Sequence, residues 1–464
     1  MQVVEKLASL SMIVCPLVIL SSLVYLKSII SMILLGHLGD TELAGGSLSI
    51  GFANITGYSV IKGLAVGMEP ICYQAYGAKK WEILTQTYRR TLLLLLLAVL
   101  LISLLWLNME WILLWLGQDR DIISVAKIYI TYSIPDLVAQ ASLHPLKTFL
   151  RTQNINRPLA FSATWAMILH FPVSYLLVVY FNLGVRGVAL ASAWYSISIN
   201  IWLLIYLFLS KKSLRPWDGA TNHTCPQSWQ PLLALAGSSV VSVCLEWWWY
   251  EIMILLCGLL SNPQANVAAM GILIQITSLL YVFPSSLSSG LSTLVGHELG
   301  ANQPGFARQT TMIGLIVAVS WGLLAFAFTT AVRDVWGNLY TRDPQILHLT
   351  SIALPILGFC ELGNSPQTAA CGILIGSARP KIGCFINFIS FYIIGLPVAA
   401  LLGFKFRYGF AGFWIGLAAA QISCMCMMVS VLVCTNWTHQ ASRAQELTQD
   451  INGCNNDLET DLLS

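Results

Sequence analysis

The sequence predicts an all-α integral membrane protein with twelve transmembrane helices in two pseudo-symmetric six-helix lobes. Composition, recurring apolar runs and an internal repeat carry this reading. Of the 464 residues, 56% are hydrophobic and only 10% are charged, whereas a soluble domain carries about a quarter charged residues. Twelve apolar stretches follow one another, at 8–35, 46–72, 85–107, 122–142, 159–181, 187–210, 231–258, 267–295, 309–331, 346–372, 381–403 and 408–434. A helix needs about 20 residues to cross a bilayer, and the alternating pattern of short barrel strands is absent, so the spans read as helices.

The repeat sets the architecture. Gly67-Met-Glu-Pro-Ile-Cys-Tyr-Gln-Ala-Tyr-Gly-Ala78 lies over Gly290-Leu-Ser-Thr-Leu-Val-Gly-His-Glu-Leu-Gly-Ala301 at an offset of 223 residues. Leu34-Leu35-Gly36 lies over Leu256-Cys257-Gly258 at 222, Arg157-Pro158 over Arg379-Pro380 at 222, and Gly184–Gly187 over Gly409–Gly412 at 225. An even number of spans per repeat orients both halves alike, about an axis along the membrane normal. The expected domains are an amino-terminal lobe at 1–210, a Pro- and Gly-containing cytoplasmic linker at 211–230, a carboxy-terminal lobe at 231–434 and a polar tail at 435–464. The composition of the tail predicts disorder.

The first apolar run continues to Leu35 without a small-residue cleavage site, so it reads as a retained span. A net charge of +3 gives no sign of a nucleic-acid partner. The twelve cysteines lie mostly within spans and form no paired CxxC, so buried thiols are expected and disulfides or a metal are not. Fifteen Lys and Arg residues fall on the side shared by the termini. Six, namely Arg120, Arg186, Arg333, Arg342, Lys405 and Arg407, fall on the other. That bias predicts cytoplasmic termini.

Along the chain, Lys27 sits deep in the first span, where it either pairs with a carboxylate such as Glu69 or Asp136 or snorkels outward. Glu69, at the inner end of the second span, is expected to tie down that helix, and Gly77-Ala-Lys-Lys80 to stop it. Pro135 is expected to interrupt the fourth span beside Asp136, and His144 reads as an interior histidine. Gly63/Gly67, Gly372/Gly376 and Gly412/Gly416 are GxxxG spacings that let helices approach closely.

The seventh span carries two carboxylates around an aromatic run, Cys244-Leu-Glu-Trp-Trp-Trp-Tyr-Glu251. Acids at that depth are paired, neutralised or functional, and the rings of Trp247 and Tyr250 offer cation-attracting faces. Five residues apart, Glu246 and Glu251 point about 140° from one another, which gives them separate duties. Gln275 and Pro284 lie on the eighth span. Glu361 and Asn364, three apart on the tenth, share a face, next to Gly363 and Pro366. Glu246, Glu251, Gln275, Glu361 and Asn364 are the expected coupling and substrate cluster. It would hold a shared proton, since a low-dielectric surround penalises the ionised carboxylate. Lys27, Glu69, Asp136, Trp247, Tyr250 and Pro284 are the accessory candidates.

These stretches, with Leu-Leu-Gly-His-Leu-Gly39, Gly300-Ala-Asn302 and Glu361-Leu-Gly-Asn-Ser-Pro-Gln-Thr368, resemble the multidrug and toxic compound extrusion (MATE) family, in particular its plant DETOXIFICATION branch. The likeness runs from about residue 5 to residue 434. It implies a V-shaped pair of six-helix lobes and antiport of organic solutes against H⁺ or Na⁺. By the same likeness, Glu246 and Glu251 match the seventh-span acids of eukaryotic members. Gln275 stands where animal members carry Glu, and Asn364 at a position acidic in many relatives. The first-span Asp of prokaryotic members is missing, with Lys27 in its neighbourhood, and Ile375 replaces an Arg of the Gly-Val-Leu-Arg-Gly motif. These departures place coupling in the carboxy-terminal lobe and leave neutral, weakly acidic or monocationic substrates open.

The function expected is proton-coupled export of small organic solutes by alternating access. Its partners would be the organic substrate, H⁺ and the lipid bilayer, with no cofactor beyond the proton gradient and a monomeric chain. The alternatives are a lipid-linked saccharide flippase or a channel-like member of the same fold. No catalytic constellation or nucleotide loop points to an enzyme. The plasma membrane is the expected location, with vacuolar or endosomal membranes as alternatives.

Overall fold

The structure is a computed structural model that describes residues 2–115, 120–210 and 229–450. Most of the expected linker, 211–228, and the last stretch of the tail, 451–464, lie outside the described residues. Among those described there is no strand, and eleven helices are long and apolar enough to cross a membrane.

The first half of the chain holds α1 (Gln2–Leu38), α2 (Asp40–Ala53), which passes through a π turn into α3 (Ser59–Val66), and α4 (Glu69–Gly77). There follow α5 (Trp81–Leu107), the short α6 (Met109–Trp115), α7 (Arg120–Thr152), α8 (Arg157–Tyr175) and α9 (Val185–Leu209). The second half holds α10 (Gln230–Cys257), α11 (Pro263–Gly300), α12 (Pro304–Ala331), α13 (Pro344–Gly376), α14 (Pro380–Asn387), α15 (Leu396–Ala400), α16 (Gly409–Val433) and α17 (Trp437–Asp450). Several helices open with Pro in the first turn, where a missing N–H costs nothing.

The repeat is written in the backbone. Left-handed residues pair across the halves: Lys79 with Asn302, Asn154 with Ala378, Asn182 with Arg407 and Gly184 with Gly409. The π turns Leu176–Tyr180 and Leu401–Lys405 pair in the same way. Each α-helix that stops at such a residue stops at the same place in both repeats, because the same turn geometry satisfies its last carbonyls. At the end of α4 the left-handed residue is Lys79, two positions past the expected Gly77.

Four expectations change. The second span is one run of helix only as far as Val66. Pro70 has no N–H to offer the Val66 carbonyl, so the chain tightens through Gly67 and Met68, whose N–H groups reach Leu64 and Ala65 at 3.2 Å, before α4 begins. Pro135, in contrast, does not interrupt the fourth span, because α7 runs unbroken through Pro135 and Pro145. The same helix reaches Thr152, so Lys147 and Arg151, which lie beyond the expected span at 122–142, are helix residues within the bundle. The tail also forms a helix over Trp437–Asp450, with Trp437, Ala441, Ala444 and Thr448 buried at helical spacing.

The chain resolves into two compact units. One comprises Met1–Val14 with Val241–Gln445, the other Cys15–Val240 with Glu446–Ser464. In the first, α13 packs on α11, α12 and α16. A methyl group on Gly372 or Gly376 would strike the carbonyl of Ser288 or Ser292 on α11, one on Gly416 would strike Ala399, and one on Gly412 the backbone at Gly403. Lys6 pairs with Glu298 and lies 4.7 Å from the Phe306 ring centre. In the second unit, α7 packs on α2, α5 and α9, and Gly63 and Gly67 admit Val240 and Ala236 of α10 at contact distance. Each GxxxG pair thus serves close backbone approach. The contact of Gly67 with Ala236 also has a repeat partner, Gly290 against Val14.

Candidate transport site

In the unit that contains most of the second repeat, α10 presents Glu246 and Tyr250 one turn apart on a shared face. The Tyr281 hydroxyl, on α11, donates to Glu246 Oε1 at 3.1 Å. Tyr250 lies within electrostatic range of both Glu246 and Glu361. Glu361, on α13, is 1% exposed and receives the Asn364 amide at 3.1 Å on both carboxylate oxygens. The spacing of three that predicts a common face for Glu361 and Asn364 is realised as this contact.

Around these acids, Asn387 Nδ2 donates to Ser242 Oγ at 3.1 Å, and Cys424 Sγ donates to Asn387 Oδ1 at 3.2 Å. The helix carrying Glu246 is oriented by its own aromatic run. Trp249 is fully buried, edge-on to Phe391 and Tyr392, and the Tyr392 hydroxyl donates to the Leu245 carbonyl at 3.0 Å. Trp248 is 40% exposed. The run is therefore not one recognition face: Trp249 anchors the helix, and Trp247 and Tyr250 remain half-buried. Glu251 is half-buried. Gln275 is half-buried and engaged in contacts of its own, and Pro284 is buried within an unbroken α11.

The structure thus gathers Glu246, Tyr250, Glu361 and Asn364. It adds Tyr281, which sequence reasoning missed. A signal was present, since Tyr281 stands three residues before Pro284 on a span already marked as polar.

In the other unit, α1, α3 and α7 bring charged groups together. Lys27 Nζ lies 3.9 Å from Asp136 Oδ2, which also accepts from the Tyr58 hydroxyl at 2.7 Å. Of the two readings of Lys27, pairing holds, with Asp136 as the partner. Arg151 binds Glu69 and donates to the Tyr73 hydroxyl at 2.7 Å, with both charged groups buried. Glu69 therefore ties α4 to α7, which fits the structural role expected of it. Lys147 lies within electrostatic range of Lys27, Lys62, Arg151 and Asp136, and His144 is close enough to sense Lys147, Lys62 and Arg151.

Buried, hydrogen-bonded carboxylates inside an all-helical, two-repeat membrane bundle define a multi-pass membrane transporter. The profile of the MatE family matches residues 16–176 and 238–401, one segment in each repeat. Protein DETOXIFICATION 53 of Arabidopsis thaliana is 54% identical over 448 residues, covering 97% of this chain and 92% of that protein. Protein DETOXIFICATION 48 of the same plant is 52% identical, covering 97% and 84%. The crystal structure of the eukaryotic MATE transporter AtDTX14 superimposes with a TM-score of 0.88 at 29% identity, covering 96% of this chain and 99% of that one. The Vibrio cholerae MATE transporter VcmN shares the fold, with a TM-score of 0.84 at 18% identity. The chain belongs to the MatE family.

Proposed function

We propose that the protein is a secondary active antiporter that exports small organic solutes in exchange for protons by alternating access. The observation that carries this reading is the pair of intramembrane carboxylates met by neutral donors, Glu246 by Tyr281 and Glu361 by Asn364. A carboxyl group removed from water and held by neutral groups can accept a proton without breaking its hydrogen bonds, and the change in charge alters what the surrounding helices must solvate. Glu246 is the proposed proton carrier, Glu361 shares the load through Tyr250, and Glu251 shapes the substrate path. One pH unit supplies about 1.4 kcal/mol per proton, and 100 mV adds about 2.3, enough to concentrate a solute outside. The excess of cations on the side of the termini supports cytoplasmic ends, and the plasma membrane is the proposed location.

The test is proton-driven uptake of a fluorescent organic solute into everted vesicles carrying Glu246→Gln or Glu361→Gln. Uptake should collapse in at least the first. Undiminished uptake in both variants would remove the coupling assignment.

A further inference from the structure

We infer that the eleventh span controls the proton site at Glu246: Asn387 and Tyr392, both on that span, are positioning residues that hold the acid-bearing α10 by two hydrogen bonds in the turn leading to the acid. This deepens the proposed antiport by assigning its control, and it rests on Glu246 as the proton carrier.

The hold is made at two points. Asn387 Nδ2 donates to Ser242 Oγ at 3.1 Å, and Ser242 stands one turn before Glu246 on α10. The Tyr392 hydroxyl donates at 3.0 Å to the carbonyl of Leu245, the residue next to the acid. The Asn387 carboxamide is fixed at its other end by Cys424 of α16, whose Sγ donates to Oδ1 at 3.2 Å. Asn387, Ser242 and Cys424 are all buried. Each bond lost would therefore leave a polar group unpaired away from water.

The backbone of the span is shaped for this hold. Pro380–Lys405 is not one regular helix: α14 ends at Asn387, a π segment covers Phe388–Gly395, and α15 follows. In an α-helix, residues five apart point about 140° from one another, which would turn either Asn387 or Tyr392 away from α10. A π turn bonds residue i to i+5, and such turns are rare and frequent at functional sites. Here the wider turn lets both residues meet α10. The indole of Trp249, on α10, is buried against the segment, with its ring centre 5.6 Å from Phe391 and 6.3 Å from Tyr392. Gly395 makes room for it, since a Cβ there would lie 3.1 Å from the indole and 2.6 Å from the Ala420 methyl.

The consequence falls on Glu246. Donors to the ionised form of a carboxyl group set how readily it takes a proton. The Tyr281 hydroxyl reaches Glu246 at 3.1 Å, and that distance follows the rotation of α10, which the eleventh span fixes. A return of the π segment to α geometry would carry Asn387 and Tyr392 apart, release one of the two bonds and free α10 to turn. Around Glu246 and its neighbouring Tyr250 and Tyr281 lie Glu361, Cys360 and Cys371 of α13 and Cys424 of α16, with Cys244 of α10 beside Tyr392. None of these is a cation, so hydrogen-bond geometry is the lever among them.

The test follows the carboxyl band of the full chain in phosphatidylcholine nanodiscs by infrared difference spectroscopy as the pH is varied, and it needs no solute. The band lost in Glu246→Gln reports Glu246. Tyr392→Phe, which keeps the ring in place, and Asn387→Leu should each raise the midpoint of that band by about 0.5–1 pH unit, because the ionised acid loses its donor. Ser242→Ala cuts the Asn387 bond from the other side and should act alike, which covers an Asn387→Leu chain that fails to fold. The two substitutions together should shift the midpoint no further than either alone, and Ser242→Thr, which restores the hydroxyl, should recover the parent midpoint.

A midpoint unmoved in Tyr392→Phe and in whichever of Asn387→Leu and Ser242→Ala folds would overturn the inference, even where thermal stability falls, because a merely structural contact lowers stability alone. Additive shifts from Asn387→Leu and Ser242→Ala would overturn it as well, since the two residues would then act apart. If Glu246→Gln removes no titrating band, Glu246 is not the proton carrier and the antiport reading falls with it. A Glu246 band that titrates in the parent and stays in place in the variants removes the control by the eleventh span and leaves antiport standing.

Discussion

The hydroxyl of Tyr281 donates to Glu246 across 3.1 Å, joining the eighth span to the acid of the seventh. Removing that donor leaves a carboxylate inside the membrane with one hydrogen bond fewer. Tyr281→Phe is therefore expected to lower proton-driven transport about tenfold, the kinetic equivalent of ~1.4 kcal/mol, and to displace its pH dependence. Uptake into proteoliposomes across a series of imposed pH gradients measures both.

Asn364 holds both oxygens of Glu361. Asn364→Asp would place a second acid against the first, and two carboxylates so close share a proton. Transport in this variant should reach its maximum at a less acidic driving side than the parent, because the shared proton is held more tightly, while Asn364→Leu should lose coupling and retain solute binding. Ligand binding without a gradient, measured beside driven uptake, separates these outcomes.

Gly372 and Gly376 seat α13 against the carbonyls of Ser288 and Ser292, with no room for a methyl group. Gly372→Ala and Gly376→Ala should each cost about 1–3 kcal/mol through overpacking. Gly271 and Gly237, also helical, have open space where a Cβ would sit, and alanine there should be neutral or stabilise by up to about 1 kcal/mol. Thermal unfolding in one detergent compares all four; equal losses at all sites would refute the packing account.

Arg151 and Glu69 form a buried pair with Tyr73 alongside. Arg151→Met leaves Glu69 buried without its cation, and about 3–5 kcal/mol of stability should be lost. Glu69→Gln with Arg151→Met together should recover part of that loss. A double-mutant cycle by thermal unfolding checks it, and simple additivity would mean that the pair contributes nothing as a pair.

Much of the fold was legible in the residues. The succession of apolar spans, the two repeats and the GxxxG contacts follow from hydrophobic length, self-similarity and small-residue spacing, all local properties of the chain. The spacing of Glu361 and Asn364 likewise foretold their contact, since three residues along a helix are neighbours whatever surrounds them. Tyr281 and Lys147 were not foretold. Tyr281 matters only because α11 sets it beside α10, and Lys147 only because α7 continues ten residues past its apolar stretch. The tail helix escaped notice because its buried face is built from Ala, Thr and a single Trp, which composition reads as polar.

The sequence by itself determined that this chain lives in a bilayer, that it is built twice over, and that its seventh and tenth spans carry acids at a depth where acids are costly. Hydrophobic length and repetition act along the chain, so the chain records them. The tertiary structure alone decided which groups those acids meet and that Lys27 turns inward to Asp136. Those relations join helices far apart in sequence, and the energy of a buried charge is set by its neighbours in space.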